Sequence, residues 1–316
     1  MESNNVISFA DKLIAAIEQK GTPCIVGLDP RFKDLPAAIT QQCLDEYGET
    51  LTGITHSILR FNQQVIDIVS PYVPAVKPQI AFYEMYGPPG VQAYLETITY
   101  ARQKGLLVIA DVKRNDIGST VAAYSNAFLG RVPFWNNQLK PVFNVDAVTV
   151  NPYLGSDGIQ PFLDDCQKYG KGIFVLVKTS NPSSSEFQHL PVEGEAFYLH
   201  VARKCKAWGE NIMGNQGFSS VGLVVGATFP QEAIQIRKLL PQALFLVPGF
   251  GFQGGKAEDM KHFFINGRGA IINSSRGIIH AYRQEPYARK YGEEQYQQAI
   301  AESLQTMIRQ VDQILQ

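Results

Sequence analysis

The chain has 316 residues, 45% hydrophobic and 18% charged, which is ample material for a large core. Its 28 Lys and Arg against 29 Asp and Glu leave a net charge of −1 with no block of like charge, which argues against nucleic acid or an anionic membrane surface as the main partner. No apolar run is long enough to span a membrane, and the polar start Met1-Glu2-Ser3-Asn4-Asn5 lacks a signal-peptide pattern, so a cytoplasmic protein is expected.

Ile7, Phe9, Leu13, Ile14 and Ile17 recur at helical spacing and predict a helix over 6–20, stopped by Gly21. A short apolar run over 24–28 reads as a buried strand and ends on Asp29-Pro30-Arg31. A long helix is expected over 47–69, then a strand over 74–79 that carries Lys77 before Pro78. Helix 90–104 leads to strand 106–113, and 121–139 is mixed in character. Strand 147–150 ends on Asn151-Pro152, helix 158–169 follows, and strand 173–178 ends on Thr179-Ser180-Asn181-Pro182. Helix 195–208, strand 222–227, helix 230–240 and strand 244–247 come next, then a glycine-rich loop. Strand 269–273 runs into Ser274-Ser275-Arg276, and a long C-terminal helix closes the chain. Eight short β-branched runs alternating with helices, with no linker between them, predict a single-domain (β/α)8 TIM barrel over 1–316. No GxGxxG follows the first strand, so a dinucleotide-binding sheet is disfavoured.

In a barrel the active site lies at the C-terminal strand ends. The third strand ends in Asp111-Val112-Lys113-Arg114-Asn115-Asp116. On extended chain, Ile109, Asp111 and Lys113 share a face, so an acid and an amine stand together, with Asp116 where the chain leaves the strand. Two carboxylates bracketing an ammonium make a proton donor; the plainer alternative is a strand cap followed by a solvated turn. Lys77 reads either as a structural ion pair or as a catalytic group, with Asp111 and Asp116 as its natural partners in an alternating Lys-Asp-Lys-Asp array. The loop Pro248-Gly249-Phe250-Gly251-Phe252-Gln253-Gly254-Gly255 and the later Arg276 fit phosphate binding by the loops after strands seven and eight. Ser180 is placed to contact a planar ligand, with Ser183-Ser184-Ser185 as part of a lid. Lys178 reads as a structural ion pair or as a Schiff-base nucleophile. The five histidines do not cluster, and the four cysteines lack C-x-x-C spacing, so no metal site or disulfide framework is indicated; Cys24 and Cys205 read as small buried hydrophobes.

These residues resemble the orotidine 5′-phosphate decarboxylase family, in particular its longer bacterial branch. The match rests on Val26-Gly27-Leu28-Asp29-Pro30, Val76-Lys77-Pro78-Gln79, the stretch from Asp111 through Ile117-Gly118-Ser119-Thr120, Asn151-Pro152-Tyr153-Leu154-Gly155, Lys178-Thr179-Ser180-Asn181-Pro182, the glycine-rich loop and Ser275-Arg276-Gly277. Asn115 stands where glycine is usual, and Ser275 where shorter members have glycine. The resemblance implies cofactor-free conversion of orotidine 5′-monophosphate to UMP and CO2 in pyrimidine biosynthesis. It makes Lys113 the acid that protonates C6, places Asp111 near the substrate carboxylate, and gives Lys77 and Asp29 the ribose hydroxyls. Ser180 would contact the pyrimidine, and Gln253 and Arg276 the phosphate. Asp116 and Thr120 would act on the neighbouring subunit's site in a homodimer. Three rivals remain: a sugar-phosphate decarboxylase or hexulose-phosphate synthase, which shares DxKxxD but holds Mg²⁺ partly with an acid where this chain has Lys77; an aldolase using Lys178; and a silent phosphate-ligand binder.

Overall fold

The computed structural model describes residues 6–249 and 257–315, and in it eight parallel strands close into a barrel. They are β1 (Cys24–Leu28), β2 (Ala75–Pro78), β3 (Leu107–Arg114), β4 (Ala147–Val150), β5 (Gly172–Lys178), β6 (Ser219–Val225), β7 (Ala243–Pro248) and β8 (Ala270–Ser274). The ring closes where Cys24, Ile25 and Val26 lie opposite Ile272, Asn273 and Ser274. The longer helices are α1 (Phe9–Lys20), α2 (Ala37–Tyr47), α3 (Leu51–Val69), α4 (Gly87–Gln103), α5 (Gly118–Phe128), α6 (Gln160–Tyr169), α7 (Phe197–Gly209), α8 (Pro230–Leu239) and α9 (Tyr296–Leu315). Among the described residues, no helix is long and apolar enough to cross a membrane.

Side chains alternate across each strand, and this sorts the apolar residues into two cores. Val26, Val76, Val108, Val148, Val175 and Ile272 face the helices and join the larger core. Ile25, Ala75, Ile109, Ala147, Phe174, Leu244 and Ile271 face inward and form the smaller one. That inner core includes Phe9, Ala10, Leu13 and Ile14, so α1 plugs the N-terminal end of the barrel. Ser8 caps α1 by accepting from the Asp11 N–H at 3.1 Å, and Gly21 ends it in the left-handed region. Phe9 meets Phe174 edge-on with ring centroids 5.9 Å apart; a Cβ at Gly172 would lie 2.2 Å from the Phe9 ring. Burying Phe9, Leu13 and Ile14 contributes roughly 1.5–3 kcal/mol each. Two residues further along the strands, the inward positions turn polar: Lys77, Asp111, Thr149 and Asn273. The barrel is therefore dry at one end and chemically equipped at the other.

Several boundaries differ from expectation. The helix expected over 47–69 begins only at Leu51, as α3, with Thr50 capping it by accepting from the Gly53 N–H at 3.0 Å; Tyr47 instead ends a separate helix, α2, before Gly48 (φ 66°). The mixed stretch after 121 contains the end of α5 and an antiparallel ribbon pairing Val132–Pro133 with Leu139–Lys140. The serine-rich segment forms helical turns over Pro182–Ser184 and Ser185–Gln188, followed by a ribbon of Pro191–Val192 with Glu195–Ala196. After Arg276 the chain makes three short helical segments before the long helix α9 begins at Tyr296. All four cysteines are buried and free.

Candidate active site

The C-terminal rim is organised on one carboxylate. Asp111 ends the regular part of β3, where its Oδ2 lies 2.6 Å from Lys77 Nζ and its Oδ1 lies 2.6 Å from Lys113 Nζ. The two amines differ in setting: the Lys77 side chain is 5% exposed and that of Lys113 47%. Burial alone would push the Asp111 carboxyl up, but the charges and hydrogen bonds of Lys77 and Lys113 outweigh it and hold the carboxyl well below the usual range. Burial likewise opposes the Lys77 ammonium, yet Asp111 and Asp29 overcome it, so its pKa is raised.

Asp29 stands at the end of β1 beside this group. Burial raises its pKa, while Lys77 and the Ser275 hydroxyl favour the charged form. Its Oδ1 is shielded from solvent and has no hydrogen-bond partner. The strand below it must carry glycine: a Cβ at Gly27 would sit 1.8 Å from Ser275 Oγ. A cavity of about 190 Å³ runs from Asp29, Lys77 and Asp111 to Pro248, Gly249 and the turn at Ser275, Arg276 and Gly277. One end of it carries charge for chemistry, and the other offers an arginine at the start of the helical turn Arg276–Ile279. Among the described residues, no group of three or more His, Cys, Asp or Glu gathers where it could hold a metal ion.

The rest of the expected site is only partly gathered. Asp116 accepts a hydrogen bond from the Ile117 N–H at 2.8 Å and forms no ion pair with Lys77 or Lys113 within the chain. The alternation therefore stops at Lys77-Asp111-Lys113 in one chain. Thr120 is exposed in the first turn of α5. Neither residue lines the cavity, and Lys113 also stands outside its lining. Ser180 follows β5 with its backbone pressed against Gly226, where a Cβ would come within 2.8 Å, and it too lies outside the cavity lining. Gln253 lies outside the described residues. Lys178 is buried; its Nζ donates to Ser184 Oγ at 2.6 Å and stands 3.4 Å from the Phe229 ring centroid. Three polar residues escaped the reading of the sequence: Thr149, Asn273 and His280. The first two sit two residues beyond the inward-facing Ala147 and Ile271, so strand alternation was the signal that could have found them.

A model of the orotidine 5′-phosphate decarboxylase / HUMPS family matches residues 11–291. The chain belongs to this family. The match takes in every strand of the barrel and leaves α9 outside. An orotidine 5′-phosphate decarboxylase from Caldicellulosiruptor bescii is 44% identical over 279 residues, covering 88% of this chain and 91% of that protein. The orotidine 5′-phosphate decarboxylase of Rhodopirellula baltica is 40% identical over 296 residues, covering 93% of this chain and 96% of that protein. Among solved structures, the OMP decarboxylase of Leishmania donovani superposes with a TM-score of 0.72 at 28% identity, covering 98% of this chain and 99% of that one.

Proposed function

We propose that this protein decarboxylates orotidine 5′-monophosphate to UMP and CO2, without metal or organic cofactor, in pyrimidine nucleotide synthesis. The observation that carries the reading is the buried Asp111 carboxylate held between two ammoniums at 2.6 Å. The names of the relatives at 40–44% identity support it independently. When the bond from C6 to the carboxylate breaks, its electron pair stays on C6, and Lys113 delivers a proton there. Asp111 lies beside the departing carboxylate and keeps both lysines in place; a fixed charge array needs no reorganisation as charge develops. Lys77 and Asp29 hold the ribose hydroxyls, Ser180 the pyrimidine, and Gln253 and Arg276 the phosphate. Contacts at the phosphate supply binding energy remote from C6 and position the base.

Asp116 and Thr120 act in this reading on the site of a second subunit, which completes the array in a homodimer. Two features support this. Asp116 pairs with neither lysine of its own chain, and its carbonyl lies close to Gly158 in a region where Ile117, Tyr153 and Leu154 are exposed. Exposed apolar residues around a polar catalytic group suit a subunit interface.

The family model spans both orotidine 5′-phosphate decarboxylases and HUMPS members, and Lys77 separates the two readings. A divalent cation at Asp111 would have to sit against the Lys77 ammonium, 2.6 Å from the same carboxylate. An aldolase reading gains from the lowered pKa of Lys178, which burial causes and Glu232 opposes. It loses more, because that amine is covered by Phe229 and bonded to Ser184. The test is loss of orotidine monophosphate absorbance with purified protein, with and without chelator. Equal turnover in both supports the proposal; activity that vanishes with chelator and returns with Mg²⁺ refutes it.

A further inference from the structure

The pairing of β3 with β4 slips at the active site. Ala110 faces Val148 and Arg114 faces Val150, so Asp111, Val112 and Lys113 stand opposite Thr149 alone. Such a bulge re-aims side chains and takes backbone N–H groups out of the ladder, and buried N–H groups need other partners. Here the Val112 and Lys113 N–H groups donate to Thr149 Oγ1 at 2.9 and 3.0 Å. The same hydroxyl donates to Asp111 Oδ1 at 3.0 Å. One hydroxyl thus uses its single proton and both lone pairs. Thr149 is 1% exposed, so no water competes for them. Lys113 has φ 45°, in the left-handed region that side chains other than glycine avoid. Its strained backbone is held by the bond from its own N–H to Thr149.

We propose that Thr149 is a positioning residue for proton transfer: its hydroxyl locks the bulge and fixes Asp111 Oδ1, so that the Lys113 ammonium is aimed at the reacting carbon. The inference rests on the reading of Lys113 as the proton donor. Thr149 touches no reacting atom itself. Valine has the shape of threonine without the hydroxyl, and serine keeps the hydroxyl without the methyl, so the pair separates positioning from packing.

The experiment compares full-length wild type, Thr149→Val and Thr149→Ser for kcat, KM for orotidine monophosphate, UMP affinity, and hydrogen exchange of the peptide over 107–117. For Thr149→Val the expected result is a fall in kcat of about tenfold or more with UMP affinity within about twofold, and for Thr149→Ser a kcat within about threefold of wild type. The Val112 and Lys113 amides exchange faster in the valine variant. A purely structural role lowers the melting temperature but leaves kcat and KM of the folded enzyme alone. The proposal is overturned by a valine variant that keeps kcat within about twofold, or by a serine variant that falls as far as the valine one. If wild type does not convert orotidine monophosphate, the decarboxylase reading fails; unchanged amide protection in Thr149→Val then overturns the positioning role as well.

Discussion

Lys77 and Lys113 contact the same carboxylate at the same distance, yet their loss has different consequences. The Lys77 side chain is 5% exposed and Asp111's is 11%. Removing one partner of a buried ion pair leaves charge without compensation and costs about 3–5 kcal/mol. Lys77→Met should lose stability on that scale, toward the lower end because Lys113 still holds Asp111. Lys113 is 47% exposed, and pairs of that kind are worth about 0–1 kcal/mol. Lys113→Met should therefore unfold almost as wild type does. Its turnover should nonetheless fall by at least 10²–10⁴-fold, roughly the contribution of a positioned general acid, while UMP still binds. Urea unfolding followed by circular dichroism at one fixed protein concentration measures the first effect, and orotidine monophosphate absorbance the second. Equal stability losses in the two variants, or near-normal turnover in Lys113→Met, would refute the reasoning.

Three further outcomes follow from the same geometry. His280 is buried, stacked on Phe61 with ring centroids 5.7 Å apart, and its pKa falls to about 4, chiefly through burial, with Asp34 opposing and Arg283 and Arg31 adding. The folded ring binds its proton less readily than the unfolded one, whose value is 6.5. Stability should therefore drop by up to ~3 kcal/mol as the pH is lowered from 6.5 toward 4, and pH-dependent urea unfolding of His280→Gln should show a flatter slope. Gly27→Ala should lower stability by about 1–3 kcal/mol, because its Cβ would sit 1.8 Å from Ser275 Oγ and 2.8 Å from Ser275 Cβ. Ser275→Gly in the same chain should recover most of that loss; a double variant no better than the single one counts against the clash. Finally, if Asp116 serves the neighbouring site, mixing inactive Lys113→Ala with inactive Asp116→Ala and letting subunits exchange should regenerate about a quarter of the sites. A mixture that stays inactive while mixed dimers form would place Asp116 in its own subunit's site.

The rim residues were legible because barrel strands end where chemistry begins. Lys77, Asp111, Lys113 and Asp29 each close an apolar run, and the structure brings all four together. Less legible was anything that depends on a break in regularity. Gly48 and Thr50 carry ordinary cap signals, but Tyr47 before them, the last residue of α2, reads as the start of α3. Asp116 follows Lys113 by three residues and reads as part of the same cluster, whereas its carboxylate accepts from the Ile117 N–H and pairs with neither lysine of its chain.

By itself, the sequence determined the fold class, the polar rim and the family, since strand alternation, helical spacing and DxKxxD are local patterns written in consecutive residues. Only the tertiary structure decided which charges meet. An extended β3 would align Asp111 and Lys113 on one face by periodicity alone. In the folded barrel a bulge interrupts that periodicity, and the two still meet because Lys113 adopts φ 45° and Thr149, on the next strand, takes up the amides left unpaired. Register between strands is a property of packed neighbours, and no single stretch of chain contains it.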